Sequence, residues 1–103
     1  MTNVTIHPGI CGYVVRVSAR KTNDKKVLVS IDTECETVRQ MMNDITVLDM
    51  KEACTGYLQN PVYRSAARCL QHVACPVPSG ILKALEVELE LCLPEEVKIT
   101  FTE

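Results

Sequence analysis

Two valine-rich runs near the start of the chain alternate in polarity and are separated by a polar turn. In the first, "CGYVVRVSAR" (residues 11–20), small or apolar residues occupy every second position, and "KVLVSI" (residues 26–31) repeats the pattern. Alternation places successive side chains on opposite faces of a strand. The intervening "KTNDK" contains residues that favour turns. We therefore predict a β-hairpin with one buried face, which restricts the chain to folds built on an antiparallel sheet.

Most of the chain after this hairpin has helical patterns. Thr33 and Glu36 have the spacing of a capping box, so a helix is expected to begin at Thr33. Asn60 is a favourable N-cap before Pro61, which suits the first helical position. A third, long helix is expected within "SGILKALEVELELCL" (residues 79–93). Residues 46–55 are ambiguous, and a short helix over residues 49–54 is expected there in addition to these three main helices.

The last segment, "EEVKITFTE" (residues 95–103), alternates again and predicts a final strand with Val97, Ile99 and Phe101 facing inward. Residues 3–6 are expected to extend the first strand, ahead of the interruption at Pro8 and Gly9. The predicted order is β-β-α-α-α-β in a single domain, residues 1–103. This is an α+β fold, an antiparallel three-stranded sheet with helices packed on one face.

Composition excludes several classes of function. The formal net charge is -2 and no cluster of basic residues forms a patch, so we expect no nucleic-acid partner. No apolar run is long enough to cross a bilayer and no signal peptide is evident, so a cytoplasmic location is expected, with no membrane partner. Thiols stay reduced in the cytoplasm, and the six cysteines therefore indicate metal or thiol chemistry rather than disulfides.

Three cysteines fall where the predicted fold gives them chemical significance. Cys11 begins the first strand on its inward face. Cys35 lies in the first turn of a predicted helix, and Cys75 precedes the last helix, with His72 three residues before it. A helix N-terminus stabilises a thiolate. Three thiolates and an imidazole suit zinc or an iron–sulphur cluster, which both favour soft ligands.

The remaining cysteines are expected to be structural. Cys69 and Cys92 fall on apolar helical faces, whereas Cys54 lies in an ambiguous region. Cys69 does complete a C-x2-H-x2-C spacing with His72 and Cys75, but a core position is favoured. Other candidate ligands, each with a simpler role at a turn or a helix start, are His7, Asp32 and Glu34.

The layout of "CGYVVRV", "IDTECETVRQM" and "HVACPVPSGILKAL" resembles the N-terminal domain of NifU-type scaffolds for iron–sulphur cluster assembly. The layout is also similar to that of TSCPD-type domains. The motifs "PGICG" and "ACPVPS" resemble segments of a family of small cysteine-rich bacterial proteins without assigned function. The NifU-type resemblance implies Cys11, Cys35, His72 and Cys75 as the ligands. Tyr13 stands where the scaffolds have an acidic residue, and two residues separate His72 from Cys75.

Three hypotheses follow. The first is a small metal- or cluster-binding protein, a carrier or scaffold rather than an enzyme, which transfers its cargo to another protein. The second is a thiol-based redox protein or enzyme with Cys35 or Cys75 as nucleophile and His72 as a base. The third is an interaction domain with structural cysteines, in which the acidic, leucine-rich segment 81–93 forms a homodimer.

Overall fold

The computed structural model describes residues 1–103 as an α+β fold with an antiparallel sheet. The sheet has four strands in sequence order, β1 (Thr2–Ile6), β2 (Val15–Lys21), β3 (Lys26–Thr33) and β4 (Val47–Asp49). The predicted hairpin is the β2–β3 pair, which places Val17 opposite Ile31. The α+β class and the antiparallel sheet are thus confirmed.

The helices are α1 (Glu36–Ile45), α2 (Met50–Ala53), α3 (Pro61–Cys69) and α4 (Val77–Glu88). α4 packs on β1 and β2, and α1 packs on β3. α3 contacts both of these helices and so joins them. None of the helices combines the length and the apolar character that crossing a membrane requires.

The core lies between the sheet and the helices. Alternate residues of the two central strands are buried, and the residues between them lie on an open face of the sheet. The buried set is Val15, Val17, Ala19, Val27, Val29 and Ile31. The helices contribute large buried side chains, among them Met41, Ile45, Ile81 and Leu85. One buried face and one open face confirm that the helices cover a single side of the sheet.

The strand count and order differ from the prediction. Residues 2–6 form a separate strand that pairs with β2, and the brief β4 adds a fourth strand after α1. The predicted strand at residues 95–103 is irregular, and its apolar side chains are exposed: Val97 by 64%, Ile99 by 79% and Phe101 by 98%. A strand needs a neighbouring edge for its backbone hydrogen bonds, and this segment is paired with none of the four strands.

The helix starts show which capping predictions were right. Asn60 caps α3, with Pro61 in the first turn. Thr33, however, is the last residue of β3, and the predicted capping box there is wrong. The capping box lies at Asp49 instead, where the Asp49 carboxylate accepts from Lys51 N–H and the Asp49 N–H donates to Glu52. Strand pairing with Val15 holds Thr33 in extended conformation and delays the helix.

Candidate thiol site

One end of the sheet carries two of the predicted ligands. Ile6, Val15 and Thr33 are neighbours across three strands, in the register Ile6 to Val15 and Val15 to Thr33. Cys11 lies in the connection that joins Ile6 to Val15, and Cys35 follows Thr33 by two residues. The strand register therefore delivers both cysteines to the same end of the sheet.

A close helix–strand contact brings the third cysteine to this end. Gly80, in the first turn of α4, packs directly on the buried Ile6, and a Cβ at Gly80 would lie 2.6 Å from Ile6 Cγ1. Only glycine allows this approach without displacing Ile6. The contact fixes the N-terminus of α4 over the end of β1, and Cys75 stands two residues before that helix.

Cys75 is half-buried and packs against the core. Burial raises the pKa of its thiol, and the neighbouring Cys35 and Cys11 raise that pKa further through charge repulsion. A hydrogen bond from the Val77 backbone N–H opposes these effects by stabilising the thiolate. The repulsion arises because Cys35 and Cys11 both lie within electrostatic reach of Cys75.

Cys35 is the N-cap residue of α1 and is also half-buried against the core. Its backbone N–H donates to Thr33 Oγ1 at 3.1 Å, and the Thr33 hydroxyl donates to the Val14 carbonyl at 3.0 Å. Its Sγ lies 3.4 Å from Thr37 Oγ1. The sulphur does not cap the helix, so it is available for another contact at the helix start.

Cys11 lies in an exposed turn rather than on the inward face of a strand, and the prediction that it begins the strand is wrong. The turn is closed by a hydrogen bond from Gly12 N–H to the Gly9 carbonyl at 3.0 Å. Both glycines have positive φ, 105° at Gly9 and 75° at Gly12, a conformation that strands exclude. β2 consequently begins only at Val15.

His72 is exposed in the loop before α4. Its carbonyl accepts from the Cys75 N–H at 3.2 Å, so the loop backbone links the two residues. No group of three or more His, Cys, Asp or Glu side chains is close enough together to hold a metal ion. The structure therefore gathers three thiols at one end of the fold without closing them into a coordination sphere.

The other three cysteines belong to separate segments of the chain, and all six thiols are free. Cys69 is partly buried against the core, as expected. Cys54 is exposed at the end of α2. Cys92 lies beyond α4, with its Sγ 3.9 Å from Glu86 Oε1, so its placement in the helical stripe is wrong.

Exposed apolar residues adjoin the thiols in the sequence. Ile10 and Val73 are fully exposed and Tyr13 is half exposed, in the loops that carry Cys11 and Cys75. Sequence reasoning missed them because apolar residues were assigned to the core. The available signal was an apolar residue inside a segment of turn formers, such as Ile10 between two glycines that are three residues apart.

A family model described as "Family of unknown function (DUF6951)" matches residues 2–101. The chain belongs to this family. No curated protein and no solved structure matches it. The match to DUF6951 includes every strand and helix, the thiol site and most of the irregular C-terminal segment.

Proposed function

We propose that this protein binds Zn²⁺ or an iron–sulphur cluster through Cys11, Cys35 and Cys75, with His72 as the fourth ligand, and acts as a carrier rather than an enzyme. The observation that supports the proposal is the convergence of three separate connections at one end of the sheet, each bearing one of the cysteines. Soft thiolates favour both cargoes.

The electrostatics of the three thiols suit a cation. Two neighbouring cysteines raise the pKa of Cys75, because negative charges at this end of the sheet repel one another. A bound metal reverses that relation, since its positive charge attracts the thiolates and drives their deprotonation. The arrangement that is unfavourable for three bare thiolates becomes favourable around the metal.

The ligands divide into an anchored pair and a mobile pair in this proposal. Cys35 and Cys75 pack against the core at the starts of α1 and α4. Cys11 and His72 are exposed in loops, and a shift of these loops closes the site around the cargo. The exposed Ile10 and Val73 then provide apolar surface for a partner protein that receives it.

The second candidate is thiol redox chemistry, which Cys35 favours by its position at the N-cap of α1. In that case Cys35 and Cys75 would form a disulfide, and their two electrons and two protons would reduce the disulfide of a partner protein to two thiols. The raised pKa of Cys75 weakens this candidate, because a thiol that stays protonated is a poor nucleophile.

Metal analysis of protein purified without oxygen, combined with a visible spectrum, tests the proposal. We expect about one zinc per chain, or iron with visible absorption from a cluster. Cys35→Ser should lose the cargo, whereas Cys54→Ser, at an exposed cysteine outside the site, should keep it. Folded protein without metal that also fails to take up zinc or a reconstituted cluster would contradict the proposal.

A further inference from the structure

The C-terminal arm, residues 94–103, has the alternating sequence of a β-strand but pairs with no other strand. Val97, Ile99 and Phe101 alternate with polar residues, yet all are exposed and the arm has no secondary structure. The family match extends to residue 101, so the arm is part of the family domain. Alternating apolar residues of this kind normally lie on the buried side of a sheet.

The same chain leaves a sheet edge of matching size open. β1 is the outer strand of the order β1-β2-β3-β4, and its five residues are Thr2, Asn3, Val4, Thr5 and Ile6. The strand contains no charge and no proline, the usual features that prevent pairing at an edge. Val4 is only half-buried, which leaves apolar surface on the helix side of this edge.

The opposite edge suits the arm less well. β4 is three residues long and runs directly into α2. It ends at the exposed Asp49, with Glu52 close behind, whereas the arm itself carries three glutamates and one lysine. Like charges oppose pairing at that edge. The uncharged β1 edge is long enough to pair with the arm and has apolar surface beside it.

The arm leaves α4 beside β1 but does not lie along it. Glu88, the last residue of α4, accepts from Thr2 Oγ1 at 2.7 Å, so α4 ends near the start of β1. Glu90 then adopts φ 62°, and Leu91 N–H bonds to the Glu86 carbonyl at 2.8 Å, which fixes the direction of departure. Within one chain the arm remains unpaired.

We propose that the arm of one copy adds a strand to the β1 edge of a second copy, and that a reciprocal exchange forms a two-fold dimer. Strand addition supplies the missing backbone hydrogen bonds to both partners. Val97, Ile99 and Phe101 then lie on the side of the sheet that holds Val4 and Ile6. A reciprocal exchange closes the assembly, because it satisfies both arms and both edges.

Size-exclusion chromatography with light scattering on the full chain, with two matched variants, tests this dimer. Ile99→Lys places a charge on the buried side of the added strand, and Thr100→Lys places the same charge on its open side. The wild type and Thr100→Lys should be dimers at concentrations where Ile99→Lys is a monomer, with dimerisation weakened at least about tenfold. Circular dichroism checks that both variants are folded.

Hydrogen exchange identifies what covers the arm. Amides of residues 97–101, and the amides of β1 that point away from β2, should be protected in concentrated wild-type protein and lose protection on dilution. A monomer with an unprotected arm would overturn the proposal. So would a monomer with a protected arm, which would mean that the arm pairs with its own β1. A dimer that Ile99→Lys leaves intact would place the interface elsewhere and also overturn it.

Discussion

Gly80 determines both how α4 packs on β1 and where the N-terminus of α4 places Cys75. An alanine there would overlap the buried Ile6, and we expect Gly80→Ala to cost about 1–3 kcal/mol of unfolding free energy. This net cost already allows for the gain in helix propensity, about 1 kcal/mol. Ile6→Val removes the methyl group that lies closest to Gly80. In a protein that carries Ile6→Val, Gly80→Ala should therefore cost less unfolding free energy than it does in the wild type.

Chemical denaturation of the two single variants and the double variant measures this coupling. Ser79→Ala, at an exposed neighbour in the same helical turn, is the control and should change stability little. If Gly80→Ala were as stable as the wild type, the close approach of α4 to β1 would not be a constraint on the fold.

The Cys75 thiol gives the stability of the protein a dependence on alkaline pH. Burial raises its pKa above that in the unfolded chain, so folding favours the protonated form. Its contribution to stability is complete below the ordinary thiol pKa of about 8.5 and is lost as the pH rises through the higher folded-state pKa. Metal-free wild type should therefore lose more stability between about pH 8.5 and 10.5 than Cys75→Ala does.

Urea unfolding across that range measures the difference. Cys54→Ala removes an exposed thiol outside the site and should follow the wild-type curve. Parallel curves for wild type and Cys75→Ala would show that the thiol is not desolvated in the fold.

At the scale of elements, Asn60 joins α2 to α3. Its side chain accepts from Val62 N–H at 2.9 Å and donates to the carbonyls of Ala53 and Thr55 at 3.2 and 3.1 Å. Asn60→Ala should cost about 2–4 kcal/mol, from a lost cap and unpaired carbonyl groups. Asn60→Asp keeps the cap acceptor but turns a carboxylate toward those carbonyls, so it should also destabilise the protein.

Thermal and urea unfolding check both variants, with Gln59→Ala as the exposed neighbouring control. If Asn60→Asp were as stable as the wild type, the hydrogen bonds from Asn60 to the carbonyls of Ala53 and Thr55 would contribute nothing to stability, and only the helix cap would.

The elements show which local patterns determine structure by themselves. The hairpin and α3 were predictable because alternation around a polar turn, and an Asn-Pro start, act within a few residues. Thr33 was misassigned because the same Thr-x-x-Glu spacing fits a cap, whereas pairing with Val15 decides the outcome. The C-terminal arm was misassigned for a related reason, since an alternating pattern gives a strand only where the segment lies along the edge of a sheet, and this arm does not.

At the scale of the whole molecule, part of the candidate site was predictable. The sequence indicated that Cys11, Cys35 and Cys75 approach one another, and the strand register with the contact of Gly80 on Ile6 brings their segments to one end. The exposure of Cys11 was not predictable, because it depends on the left-handed turn at Gly9 and Gly12, which delays the start of β2 to Val15. Metal binding itself stays a prediction.

Metal binding by these thiols should release protons. Zn²⁺ binds cysteine as the thiolate, so binding through Cys11, Cys35 and Cys75 should release about three protons per site. The three thiols alone should lower the apparent affinity about a thousandfold from pH 7 to pH 6, a factor of ten for each thiol. Titration calorimetry in two buffers with different heats of ionisation counts the protons. Cys75→Ser should release about one fewer, and Cys54→Ser should match the wild type. Zinc binding without proton release would mean that these thiols are not the ligands.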